Sequence, residues 1–96
     1  MVSKKSGPNG LLLIVTDKDI LGKTFIEGNK QLDLTKVFYQ GEEMDKEQVL
    51  KLFTQARDIH LTGKYSVGLG VETNYVDPNH ILYVDKVPHA EVVVSE

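Results

Sequence analysis

Neither cysteine nor tryptophan occurs in this 96-residue sequence. Without a thiol there is no disulfide, no thiolate zinc site and no cysteine nucleophile, so stability has to come from packing. Apolar runs are short. The longest, Leu11 to Val15, is too short to span a bilayer, and behind Lys4 and Lys5 it makes no signal-peptide core. Charge of one sign is lacking too: a net charge of −3 provides no global positive field to draw in nucleic acid. These absences lead to the expectation of a cytoplasmic protein with no membrane partner.

What is present suits a globular domain. Apolar residues at 41% and charged residues at 26% argue against wholesale disorder. A chain of this length buries about two-thirds of its unfolded surface, enough for two packed layers. Residues 1–9, MVSKKSGPN, offer little to bury and read as a flexible tail, leaving 10–96 as the domain. Leu11 to Val15, between Gly10 and Thr16-Asp17, reads as a doubly buried strand at the centre of a sheet. Asp17 is placed to cap the turn that follows it, and Gly22 to close that turn. Gly28-Asn29-Lys30 is a turn, and Leu32-Asp33-Leu34 and Val37-Phe38-Tyr39 read as two short strands or one irregular excursion ending at Gly41.

Asp45 with Gln48 makes a capping box, and Met44 with Val49 a hydrophobic staple. Val49, Leu52, Phe53, Ala56, Ile59 and His60 recur at helical spacing, predicting a long helix from about 46 to 62 with Gly63 as its stop. Residues 66–75 fit either a strand or a short helix containing Gly68 and Gly70. Asp77-Pro78-Asn79 is a break, Ile81 to Val84 a strand, Asp85-Lys86 a tight turn and Val87 to Val94 a last strand. The sum is an α+β fold: a two-layer sandwich with a small, mostly antiparallel sheet and one long and one short helix on one face.

Several features could carry chemistry. Gly22-Lys23-Thr24 follows a strand, as in a phosphate loop, but that loop needs glycine at the place held by Asp17. A turn glycine with two surface polar residues is preferred, and no nucleotide is expected. His60, His80 and His89 lack metal-ligand spacing and no carboxylate cluster frames them in the sequence, so neither metal nor cofactor is expected. His89, beside Pro88 at a strand entry, is a functional candidate set against a structural hydrogen-bonding role. Lys18, Lys23, Lys30 and Lys36 interleave with Phe25, Phe38 and Tyr39, but Asp19, Glu27 and Asp33 offset three of those four charges.

Three segments taken together, DKDILGKTFIEG, LDLTKVFYQGEE and VDKVPHAEVVV, resemble the archaeal "domain of unknown function 424" family over residues 10–94. The resemblance implies an archaeal cytoplasmic protein with helices and strands in two layers, and no established activity. It favours a helix for residues 66–75, although Gly68 and Gly70 weaken it. Gln40 and Lys86 stand where glycine is usual in the family, which puts the turn geometry there in question.

Three functional readings follow. The first is a noncatalytic binding module for a protein or ribonucleoprotein, with Lys18, Lys23, Thr24, Glu27, Tyr39 and His89 as the candidate contact residues. An association with RNA or the translation machinery is a further expectation of that reading. The second is a small enzyme acting on an anionic substrate, with His89 as acid or base and Lys23 as anion clamp. That requires both residues in one pocket. A structural or oligomerising subunit is a third reading, which would show an apolar patch or an open sheet edge.

Overall fold

The computed structural model describes residues 1–8 and 10–94. In chain order it contains β1 (Val2–Gly7), β2 (Gly10–Thr16), β3 (Thr24–Glu27), β4 (Lys30–Asp33), α1 (Lys46–Phe53), β5 (Ala56–Thr62), α2 (Lys64–Glu72), β6 (Leu82–Val84) and β7 (Val87–Val93). Five strands form a mixed sheet in the order β1-β2-β5-β7-β6, and β3 pairs with β4 in a separate hairpin. Among the described residues only the β2–β5 pair is parallel, so the α+β, mostly antiparallel expectation stands.

The expected flexible tail is instead an edge strand. Residues 2–7 pair with residues 10–15 of β2. Val2 is buried and exchanges backbone hydrogen bonds with Glu42 of 2.7 and 2.8 Å. Backbone pairing and one buried valine hold a segment whose side chains are otherwise mostly polar. Asn9, the end of the expected tail, lies outside the described residues. Leu11 to Val15 does lie inside the sheet, but its centre is β5.

The long helix is corrected as well. Its start forms as expected: Gln48 N–H donates to Asp45 Oδ1 at 2.9 Å, and Asp45 N–H to Gln48 Oε1 at 3.1 Å. Met44 packs on the cluster that holds Val49. The helix then stops at Phe53, where the Thr54 hydroxyl donates to the Lys51 carbonyl at 2.7 Å. Residues 56–62 become β5, so the two helices have similar lengths, eight and nine residues. The apolar residues of 56–61 satisfy a period of 3.6 and a period of 2 almost equally over so short a stretch. Pairing on both sides decides for the strand, because β5 bonds β2 and β7 at once. Helix is the outcome at 64–72, as the family resemblance favoured.

Val49 and Phe53 of α1 and Val67 and Leu69 of α2 share one core with Leu13, Val15, Ile59, Leu61 and Ala90 of the sheet. Alternation turns Ile14, His60, Thr62, His89 and Glu91 to the sheet's other side. The excursion of residues 17–41 covers part of that side. Leu32 and Leu34 pack with Val84, Phe25 and Tyr39, while the Phe38 ring meets His60 edge-on at 6.0 Å. The two-layer expectation left this covering out. Of the two short strands expected, residues 32–34 fall largely in β4 (Lys30–Asp33), which pairs with β3 (Thr24–Glu27), whereas Val37–Tyr39 is a 3-10 turn rather than a strand.

The two family departures have different structural outcomes. Gln40, at φ −82° and ψ 142°, is extended backbone open to any residue. Lys86 closes the β6–β7 turn at φ 69° after Asp85 at φ 48°, a pairing of positive angles that favours glycine at the second position.

Candidate functional site: a charged-rim cleft and a histidine–carboxylate cluster

Asp17, at the end of β2, makes no side-chain bond to the 3-10 turn it was expected to cap. Its carboxylate reaches across to α2 instead. Oδ2 accepts from Tyr65 N–H at 2.9 Å, and Oδ1 accepts from Ser66 N–H at 2.8 Å and the Ser66 hydroxyl at 2.7 Å. Gly63 makes room for it: φ is 105°, and a Cβ there would overlap the Asp17 carboxylate. A strand, a Gly63-Lys64 pair and a helix start form the kind of junction at which phosphate meets backbone N–H groups. Here the chain's own carboxylate holds that position.

Beside Asp17 opens a cleft of about 520 Å³. Buried Val2, Val15, Val49 and Leu69 and half-buried Met44 supply its apolar lining. Charges of both signs stand around it. Lys18 pairs with Glu43, which holds the Glu43 carboxyl below its ordinary 4.5, and Lys46 pairs with Glu72 at 3.0 Å. The Tyr65 ring stands on the same rim, 68% exposed.

Of the candidate residues, only Lys18 lines this cleft. Exposed Lys23 holds the base of the hairpin through its backbone, its N–H donating to Ile20 and its carbonyl accepting from Leu34. The Thr24 hydroxyl donates to Asp33 at 3.2 Å, and the Glu27 carboxylate accepts from Asp85 N–H at 2.8 Å, tying the hairpin to the β6–β7 turn. Tyr39 is half-buried against Leu32, Leu34 and Val84; burial, then the Glu91 charge, raises its phenol above the ordinary 10.0. Among the described residues, no hydrogen bond or ion pair joins Lys23 to His89.

His89 belongs to a second grouping. Its Nδ1 lies 2.7 Å from Thr62 Oγ1, and its Nε2 lies 3.7 Å from Glu91 Oε1. His60 Nδ1 lies 3.8 Å from the same Glu91 oxygen. Burial lowers the His89 pKa below 6.5, although Glu91 pulls the other way. Contrary to the expectation from the sequence, a carboxylate does frame two of the histidines. His60 and Glu91 are cross-strand partners, 31 positions apart, and linear spacing does not register such a pair. Strand alternation at 89 and 91 was the one available signal. The cleft residues Tyr65 and Ser66 were missed for the same reason, since only the fold sets them against Asp17.

A family profile described as "Protein of unknown function (DUF424)" matches residues 5–94. No curated protein matches the chain. Among solved structures, a crystal structure of an uncharacterized conserved protein from Methanopyrus kandleri is similar, with a TM-score of 0.81 at 19% identity, covering 100% of this chain and 93% of that one. That likeness is one of fold. With the family profile spanning nearly the whole sequence, the chain belongs to the DUF424 family.

Proposed function

We propose that this is a noncatalytic, cytoplasmic archaeal binding module whose partner is a protein segment seated in the cleft beside Asp17. The observation that carries the reading is the makeup of that cleft: an apolar lining, Tyr65 on the rim, and Lys18, Lys46 and Lys64 interspersed with Asp19 and Glu43. Exposed aromatics over apolar pockets anchor protein interfaces. Exposed rim ion pairs such as Lys18–Glu43 are weak and solvent-screened, so a partner's charges exchange with them at little cost. A polyanion would need cations without interspersed acids, and Asp17 already fills the junction where phosphate would bind.

The enzyme reading needs Lys23 and His89 in one pocket, and their contacts lead to the hairpin base and to Thr62 respectively. It is the weaker reading. The test is co-purification from native extract with and without ribonuclease, in parallel with a Tyr65→Ser/Lys64→Glu variant. A protein retained after ribonuclease and lost in the variant supports the cleft. Loss on ribonuclease treatment identifies RNA as the partner instead, and equal retention by the variant overturns the cleft as the site.

A further inference from the structure

His60, His89 and Glu91 occupy one face of neighbouring strands, and their ligand atoms all lie within 4.8 Å of one another. We propose that these three side chains form a binding site for one divalent first-row transition ion, of the Zn²⁺ type. None of the three lines the cleft of the proposed function, so this site stands on separate observations.

Geometry is the first argument. Glu91 Oε1 sits 3.8 Å from His60 Nδ1 and 3.7 Å from His89 Nε2, too long for hydrogen bonds to either ring. Ligand atoms at about 2.0–2.1 Å from a tetrahedral zinc are about 3.4 Å apart. A contraction of a few tenths of an ångström therefore brings Glu91 to coordinating distance from both rings, and the ligand nitrogens of His60 and His89, within 4.8 Å of each other, have up to about 1.4 Å to close. The sheet supplies the framework: Glu91 is opposite His60, and His89 is two residues along the same strand on the same face.

The surroundings supply the second argument. Metal-bound histidines donate their other ring N–H to a fixed acceptor, which sets the tautomer and aims the ligating nitrogen. Thr62 Oγ1, fully buried and 2.7 Å from His89 Nδ1, is placed to be such an acceptor when Nδ1 carries the proton. In that tautomer the lone pair is on Nε2, the nitrogen 3.7 Å from Glu91 Oε1. The His60 and His89 side chains are only 25% and 13% exposed, with the Phe38 ring against His60, whereas Glu91 at 64% leaves a route in from solvent. Two imidazoles and one carboxylate leave coordination positions for water or a ligand, and with no cysteine in the chain the donor set selects for zinc and its neighbours.

The test uses untagged protein freed of metal with a chelator and titrated with Zn²⁺ and, separately, Co²⁺. One equivalent should bind, with a visible Co²⁺ absorption band. Zn²⁺ should move the ring ¹⁵N signals of His60 and His89 but leave His80, which is 80% exposed beside Asp77, unchanged. Glu91→Gln and Thr62→Val should each weaken binding by about 10-fold or more, with folding confirmed by amide NMR spectra. No saturable binding up to millimolar metal overturns the site. So does affinity unchanged in Glu91→Gln, or a response at His80 equal to that at His60 and His89.

Discussion

Ser66 is tied to Asp17 twice, through its backbone N–H at 2.8 Å and its hydroxyl at 2.7 Å, across 49 positions of sequence. The bond fastens the end of β2 to the first turn of α2 and closes one side of the cleft. Asp17→Ala removes the acceptor for two helix N–H groups and a buried hydroxyl, and should cost about 1–2 kcal/mol. Ser66→Ala should cost about 1 kcal/mol, and the double variant less than the sum, because the two residues share a bond. Urea denaturation measures all three. Strict additivity would show that the contact does not carry the coupling assigned to it.

The two glycines of α2 should respond in opposite directions. A Cβ on Gly68 meets nothing within 4 Å, so Gly68→Ala should stabilise by about 0.5–1 kcal/mol through helix propensity. A Cβ on Gly70 would lie 2.6 Å from both Leu61 Cδ1 and Val76 Cγ2, inside the core, so Gly70→Ala should destabilise. Thermal melts of the two variants, shifted in opposite directions from wild type, are the expected result.

Much of the fold was legible wherever a local rule was unambiguous. The capping box at Asp45 and Gln48, the break at Asp77-Pro78 and the doubly buried Leu13 and Ile14 all appear as read. Residues 56–62 were misread because their apolar spacing fits two periods, and only pairing with β2 and β7 resolves it. Val2 to Gly7 was misread because an edge strand needs backbone partners more than apolar side chains. For the sites, His89 was singled out from its neighbours, but His60, Glu91 and Ser66 meet their partners through register and chain crossing, which no linear spacing encodes.

The β6–β7 turn stores a small strain. Lys86 sits at φ 69°, where a side chain costs about 1 kcal/mol relative to glycine. Lys86→Gly should therefore leave stability unchanged or raise it, against the usual penalty for adding a glycine. A clear loss of stability in denaturant melts would contradict that placement.

Thr16 Oγ1 is buried with no hydrogen-bond partner among the described residues. Thr16→Val keeps the shape and removes the orphaned hydroxyl, so stability should rise by about 1 kcal/mol. A fall of similar size in a denaturation midpoint would show that the hydroxyl is satisfied.

Asp33 sets a pH dependence. The Thr35 hydroxyl and N–H, followed by Thr24, hold its carboxyl below the ordinary 3.8. A depressed carboxylate contributes stability that is present above its unfolded value and lost as pH falls through its folded one. An NMR titration should place the Asp33 midpoint below 3.8, and Thr35→Val should move it upward. An identical midpoint in the variant would remove Thr35 as the cause.

The most direct measurement of the binding role is photocrosslinking in cells from a benzophenone side chain at position 65, compared with position 26 on the hairpin. Both are exposed in the free protein, at 68% and 63%. A discrete, ribonuclease-resistant protein adduct from position 65 alone, diminished by Lys64→Glu, is the predicted result. Equal adducts from both positions, or an adduct that ribonuclease removes, would contradict it.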